Sequence, residues 1–421
     1  MILFYIRSLL IPSNSRNFPI NLLLLFSSFK VRSYRFQWPA DVCANWAFEM
    51  ETLILGWYIL VETQSIFWLT AFGSLQFMGT LIAPWLGVVA DRLGRKFVLC
   101  CMRAIFVILA SILMLFAFLD VLTPTYVLIL SLLNGMLRPS DLVMRQALVG
   151  DTVPKDTLAN ALGLTRISME SARLFGALIG TGIFALLGIS YAYILVVCVY
   201  FIAFALSLGI TNVTHKIKSI DIPKSQWRDF KEGVNYVLST PAVLAIIWLA
   251  FLVNLTAFPI IRGLFPFVAK EIYFTGEIGL GHMVATFAAG ALIGSLIVAL
   301  AGPQVRTIKF MFINIILWYL MLAVFAGIES EYYGLISLLL MGIFHSQGMV
   351  SMSVILISRL DPYIRGRVIG IRVLAIYGVP LGLLGTGYLI NAINFQNTIN
   401  LYIVIGIVLT ISIWFNWRKH L

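Results

Sequence analysis

Two acidic residues, Glu49 and Glu51, interrupt an apolar stretch that runs from about residue 37 to residue 61. If that stretch is one helix, they lie roughly 18 and 21 Å from its start at 1.5 Å per residue. That is close to the middle of a hydrocarbon core about 30 Å thick. Desolvation favours the neutral form of a carboxyl, so an acid at that depth is suited to taking up a proton when closed off and releasing it when wet. Residues two apart on a helix point to nearly opposite faces, so the two acids differ in role. Asp41, Asn45, Glu49 and Thr52 fall at helical spacing and make one polar stripe, which favours Glu49 for a water-filled cavity.

Two further sets of charges repeat at spacings of three and four: Arg138, Asp141, Arg145 and Arg166, Glu170, Arg173. Such spacing places each trio on one helical face, where the charges partly neutralise one another. Two readings stay open. The trios lock the ends of neighbouring helices, or Arg138 or Arg166 is the counter-ion that releases a proton from Glu49 or Glu51, or binds an anionic substrate. Farther along, His345 lies beside Ser346 and Gln347 within an apolar run and could titrate near neutral pH. Trp248, Asn254 and Tyr377 are candidates for the lining of a cavity. Arg262, between Pro259 and Pro266, is expected to reach the headgroups at the end of its span.

The elements that must hold these groups are membrane spans. Of the 421 residues, 61% are hydrophobic and 11% charged, against about 25% charged in a soluble domain. At about 20 apolar residues and a short turn per crossing, the length holds about twelve helices and no sizeable soluble domain. Hydropathy divides the chain into spans near 37–61, 67–86, 97–119, 125–149, 158–187, 190–211, 241–268, 279–301, 308–328, 332–357, 368–391 and 398–416.

The net charge of +11 lies in the connections between spans. Basic residues mark the N-terminus (Arg7, Arg16, Lys30, Arg32, Arg35) and every even-numbered connection, including Arg92, Arg95 and Lys96, Lys155, Lys216 to Lys231, Arg306 and Lys309, and Arg359 to Arg367. Odd-numbered connections lack Lys and Arg apart from Lys270. This alternation places both termini in the cytoplasm. It also removes nucleic acid as a partner, because the basic residues orient the chain and do not interleave with aromatics. Cys43, Cys100, Cys101 and Cys198 sit in or beside apolar spans without metal-ligand spacing, so no metal or cofactor is expected.

A repeat of about 205 residues runs through the chain. Pro39-Ala40 with Trp46 opens the first span, and Pro241-Ala242 with Trp248 opens the seventh; Leu178-Ile-Gly-Thr-Gly182 recurs as Leu383-Leu-Gly-Thr-Gly387. The expected architecture is all-α, with twelve transmembrane helices in two pseudo-symmetric six-helix halves and a site between them near the midplane. The boundaries are an N-terminal cytoplasmic or interfacial segment at 1–36, a first half at 37–211, a linker at 212–240 and a second half at 241–421. Trp227 to Leu238 could form an amphipathic helix within the linker. Phe18 to Phe29 is too short to span, and no small-residue cleavage site follows it, so a signal peptide is not expected.

The loop Gly87-Val-Val-Ala-Asp91-Arg92-Leu-Gly94-Arg95-Lys96 resembles the signature Gly-x-x-x-Asp-Arg-x-Gly-Arg-Lys of the major facilitator superfamily. Gly87 and Gly94 permit a tight turn and close helix approach. Asp91 can face a helix N-terminus, and the bases meet anionic headgroups. The corresponding loop near Arg306 and Lys309 carries no acid.

Arg145-Gln-Ala-Leu-Val-Gly-Asp151-Thr-Val-Pro154, Leu158-Ala-Asn-Ala, Ala172-Arg173-Leu-Phe-Gly176, Lys231-Glu-Gly-Val and Arg365-Gly-Arg-Val look like the branch of enterobactin exporters and macrolide efflux pumps. This resemblance implies export of a small amphipathic molecule by proton antiport from the inner membrane of a bacterium, as a monomer. It carries over Arg145 and Arg173, and it places Glu51, at a position usually Gln, in the transport core. The antiporter-associated Gly-Pro-x-x-Gly-Gly stands here as Gly176-Ala177-Leu-Ile-Gly180-Thr181, without the Pro and the last Gly. Gly176 with Gly180, and Gly378 with Gly382, keep small faces for helix packing. The alternatives are a lysophospholipid or other lipid-handling carrier of the same superfamily, or a non-transporting sensor. An enzyme is not expected, because no paired catalytic groups or acid-rich metal motif occur.

Overall fold

The computed structural model describes residues 26–211, 226–301, 307–361 and 363–418, and the regular structure among them is helical. Helix α1 (Arg32–Thr63) makes the first crossing. Helices α2 (Ile66–Leu75) and α3 (Ala83–Leu93), joined through a 3-10 turn at Met78–Thr80, make the second. The third and fourth are α4 (Arg95–Phe118) and α5 (Pro124–Thr152). Helix α6 (Lys155–Ser171), a π-helical turn at Ala172–Gly176 and α7 (Ala177–Leu208) carry the fifth and sixth. Helix α8 (Gln226–Ser239) stands in the linker.

The seventh crossing is α9 (Pro241–Thr256) continued by π-helical turns at Ile260–Leu264 and Val268–Ile272. Helices α10 (Gly276–Ala301), α11 (Ile308–Ala326) and α12 (Glu331–Arg359) follow. Helices α13 (Arg365–Leu374) and α14 (Gly378–Ile393), with a 3-10 turn at Ala375–Tyr377 between them, make the eleventh, and α15 (Phe395–Trp417) the twelfth.

Among the described residues, nine helical segments are long and apolar enough to cross a membrane. One of these, Asn160–Leu208, is 49 residues long and turns at Gly188, where φ is 80° and a side chain would be strained. It therefore counts twice. Helix α1 carries too many polar groups to qualify by apolarity, and the second crossing is interrupted between α2 and α3. Adding these makes twelve crossings. Gly94, at φ 96°, makes the turn between α3 and α4.

The first helix begins at Arg32, five residues before the expected boundary at 37. Ser33, Tyr34 and Gln37 are buried rather than interfacial, and the reason is local pairing. Tyr34 donates to the carbonyl of Ala161 (3.0 Å), Trp38 to that of Leu164 (3.1 Å) and Ser28 to that of Thr157 (3.0 Å). Phe29 packs edge-on against Tyr34 and Trp38. Residues 26–36 are thus stapled onto α6. Phe18 to 25, like Lys216, Lys218, Lys224 and Arg306, lie outside the described residues.

The two halves repeat one packing scheme. A Cβ on Gly180 would come within 2.8 Å of Met50 Cγ, and one on Gly176 within 3.5 Å of Glu49 Cβ, so the fifth span lies tight against α1. In the second half, a Cβ on Gly378 would meet the Phe251 carbonyl at 2.7 Å, and one on Gly382 would meet Pro259 Cγ at 2.6 Å, so α14 lies equally tight against α9 and its continuation. All four glycines serve backbone approach between helices of one half.

Contact between the halves is concentrated at one end of the bundle. Ser74 donates to the Pro380 carbonyl (3.2 Å) and Lys270 to Gln64 Oε1 (2.7 Å). Thr70 fills the space beside Gly387, Thr181 the space beside Gly281, and Leu383 packs on Gly73. Toward the opposite end, α3, α6 and α13 make their substantial contacts within their own half or with α8. The halves meet at the end holding Thr63 and Lys270 and part toward the end holding Arg95 and Arg365. Large apolar side chains such as Leu186, Tyr388 and Val404 cover the outer surface, as lipid requires.

Candidate functional site

The charges sort into three places that the sequence does not separate. The first is a quartet sealed inside the first half. Arg103 on α4 pairs with Asp41 on α1 and with Asp141 on α5 (3.4 Å), and also donates to Ser207 (2.6 Å). Arg145 pairs with Asp141 at 2.9 Å and lies 4.0 Å from Asp41, and it donates to Asn45 Oδ1 at 3.0 Å. All four are at most 2% exposed, so neither water nor a ligand reaches them. The charges cancel, and opposite partners at hydrogen-bonding distance offset the desolvation of each. Arg138 stands one turn away, donating to Asn45 Oδ1 (3.1 Å) with its guanidinium 3.8 Å from the Phe48 ring centre. Asn45 thereby bridges two arginines.

The second place holds Glu51. Its Oε2 accepts hydrogen bonds from Asn134 (2.9 Å) and Tyr200 (2.8 Å), and the residue is 5% exposed. It lines a small cavity inside the first half with Gln76, Ser131 and Asn134. Two donors on one oxygen hold this carboxyl in a fixed orientation.

The third place is a cavity between the halves, of about 600 Å³ including the part open to its surroundings. Glu49, Thr52 and Phe48 line it from α1, Gln76 from the second crossing, Arg173 from the fifth, Phe258, Arg262 and Phe265 from the seventh, Phe287 from α10 and His345 from α12. Arg173 pairs with Glu170 (3.2 Å) and lies 3.8 Å from Glu49. Arg166, largely exposed, pairs with the other face of Glu170 at 3.3 Å. Both cavity arginines, Arg173 and Arg262, sit on π-helical turns. A π turn adds a residue to a helical turn and re-aims the side chains on it, and such turns recur at functional sites. His345 is buried among Trp318, Phe287 and Phe258, at ring-centre distances of 4.7, 5.2 and 5.3 Å, and neither ring nitrogen has a hydrogen-bond partner among the described residues.

The polar stripe on α1 therefore splits. Asp41 and Asn45 turn into the buried quartet, whereas Glu49 and Thr52 face the cavity. Arg262 does not reach the headgroups as expected: it lines the central cavity, because the π turn directs it inward. Trp248, Asn254 and Tyr377 do not line that cavity. Trp248 is half-exposed, Asn254 donates to the Ala250 carbonyl of its own helix (2.8 Å), and Tyr377 lies in the 3-10 turn before α14.

In the signature loop, Arg95 grips both oxygens of Asp151 (3.0 and 2.8 Å) and Lys96 donates to the Leu208 carbonyl (2.8 Å), so the loop ties α4 to the ends of α5 and α7. A Cβ on Gly87 would meet nothing, so no close approach holds it there, and Arg92 is exposed. The side chain of Asp91 lies outside the described part of the structure. Sequence reading missed Arg103, Gln76 and Tyr200. Arg103 carried the clearest signal, a cation seven residues inside an apolar span.

Twelve spans in two similar halves, with charged and aromatic side chains converging on a cavity between them, define a transporter architecture. The chain belongs to the Major Facilitator Superfamily, whose model matches residues 42–380. Solved structures agree in fold. A bacterial homolog of the human lysosomal transporter Spinster, in an inward-facing and unoccupied conformation, superimposes with a TM-score of 0.71 at 12% identity, covering 97% of this chain and 98% of that one. The nucleoside transporter NupG gives 0.67 at 15% identity (90% and 98%), and the POT family transporter PepTSo gives 0.70 at 13% (92% and 98%). A search of curated proteins finds no match.

Proposed function

We propose that the chain is a secondary active exporter of a small amphipathic molecule, working by alternating access and driven by proton antiport. The observation that carries this reading is the central cavity, where a carboxyl, Glu49, and its partner Arg173 meet aromatic walls contributed by the other half. A cavity of a few hundred Å³ with apolar walls and a few polar groups suits a small ligand. With the basic connections in the cytoplasm, the closed end is external, and the state described is open inward.

Glu49 is the proposed proton carrier. Its carboxyl lies 3.8 Å from Arg173, and a proton arriving from outside would break that pair and remove a charge opposing occlusion. Arg173 then remains with Glu170, so the cation is never orphaned. Glu51, fixed by two donors away from the mouth, is assigned to the integrity of the first half.

Cells expressing the chain should extrude a fluorescent amphiphilic dye against its gradient, and a protonophore should abolish the extrusion. Extrusion that persists after the proton gradient collapses would sink the antiport reading. Movement of labelled lysolipid between leaflets without dye extrusion would point to a lipid carrier instead.

A further inference from the structure

We infer that the central cavity contains an anion subsite at Arg262, and that the transported molecule is an amphiphile carrying an anionic group on an apolar, ring-containing body. The inference rests on reading this cavity as the transport site. Its ground is the balance of charge at the cavity. The cavity is lined by one carboxylate, Glu49, and two guanidinium groups, those of Arg173 and Arg262; Glu170 and Arg166 stand behind Arg173. Arg173 and Arg166 take up both acids, at 3.2 to 3.8 Å. Among the described residues, no carboxylate lies within 4 Å of Arg262 and none of the hydrogen bonds involves it.

The buried quartet shows what this chain does with charge meant only for structure. There, two acids and two bases cancel, and both arginines are held by carboxylates. Arg262 departs from that pattern: it is only partly buried, and no acid balances it at close range. It lines two cavities at once, the central one and a smaller one that runs toward the closed end past Gly56, Leu69 and Gly73. A guanidinium lining a cavity with no acid beside it leaves a positive charge uncompensated there, and a bound anion would neutralise it. Its planar fork of donors suits a carboxylate or a phosphate.

His345 is the second, independent observation. It is 6% exposed, it lines the same cavity, and both ring nitrogens lack protein partners. In the neutral ring one nitrogen donates and one accepts, so it can complete a polar contact beside the anion. The rest of the wall, Phe48, Phe258, Phe265 and Phe287, offers ring faces and edges to an apolar body. The arrangement thus binds a head and a body in different places, and the head must be negative.

The test needs no knowledge of the natural substrate. A cysteine at Thr52, which lines both cavities, is labelled in the full-length protein in phosphatidylcholine nanodiscs, and the signal from the native cysteines in the parent is subtracted. Gln76→Cys takes its place if Thr52→Cys does not fold. An anionic methanethiosulfonate should react about tenfold faster than its cationic counterpart, reflecting the local positive potential. Arg262→Gln should bring the two rates together, and Arg262→Lys should keep them apart.

Protection of the same cysteine is then measured with 1-naphthoate, 1-naphthamide and 1-naphthylmethylammonium. The anion should protect at about a tenth of the concentration the amide needs, and Arg262→Gln should erase the difference. Protection that appears only when phosphatidylglycerol is added assigns the anion to a lipid headgroup, still at this subsite. Equal protection by all three probes, or an anion preference untouched by Arg262→Gln, overturns the inference. Export of a neutral or cationic compound would also overturn it while leaving the transporter reading intact. In intact cells, cavity cysteines that label only from one side of the membrane under every condition would sink that reading instead.

Discussion

Arg103→Met is the most demanding test of the charge arrangement. The guanidinium is 1% exposed and takes with it its pair to Asp41, its pair to Asp141 at 3.4 Å and its bond to Ser207 at 2.6 Å. The quartet then holds two acids against Arg145 alone, which lies 4.0 Å from Asp41 and 2.9 Å from Asp141. One carboxylate, that of Asp41, loses its close partner inside a dry helix bundle. Removing one member of a buried ion pair destabilises by about 3–5 kcal/mol, because a charge is left uncompensated. Arg103→Met combined with Asp41→Asn restores neutrality. What remains is the loss of a few hydrogen bonds, and the double variant should be destabilised by only about 1–2 kcal/mol. The expected coupling between the two sites is therefore about 2 kcal/mol or more in favour of the pair of changes. Purified protein in mild detergent, unfolded by a graded denaturing detergent and followed by tryptophan fluorescence, reports the parent, Arg103→Met, Asp41→Asn and the double variant on one scale. If Arg103→Met unfolds at the parent's midpoint, or if adding Asp41→Asn lowers stability further, the quartet is not the structural lock argued for.

Glu49→Gln should leave substrate exchange intact but abolish net transport driven by a pH gradient in proteoliposomes. Glu51→Gln should be the milder change, costing about 1–2 kcal/mol of stability through its bonds to Asn134 and Tyr200; the reverse order of effects on coupling would assign the proton to Glu51. Gly281→Leu places a side chain where Thr181 now sits. It should hold the closed end apart, so that a cysteine at Thr52 reacts with an impermeant reagent added outside; unchanged external labelling would show that this contact does not gate. Asp91→Asn should keep the protein in the membrane and cut transport sharply, and full transport would reduce the signature loop to an orientation signal. Reporters after Leu421 should read cytoplasmic and one at Glu329 external, and a cytoplasmic signal at Glu329 would break the topology.

The spans are legible in the sequence because the bilayer acts on each of them locally. About 20 apolar residues are needed wherever the chain crosses, and that requirement does not depend on what lies alongside. For the same reason the hinge near Gly188 and the helix Gln226–Ser239 fall close to where local pattern places them. Glu49 was legible as a candidate because four polar residues at helical spacing make a stripe that some neighbour must satisfy. Which neighbour was not legible. Asp41 and Glu49 share that stripe, yet one is sealed among arginines and the other faces a cavity, because α4 and α5 cover the face of α1 that carries Asp41 and Glu51, while Glu49 faces the fifth span and the cavity between the halves. Arg262 shows the limit most clearly. By residue count it belongs near the end of its span, and the π turn at Ile260–Leu264 directs it inward instead. Hydropathy records how polar a residue is and how deep it lies, but the side of a helix that meets lipid, protein or water is decided only when the other helices close around it.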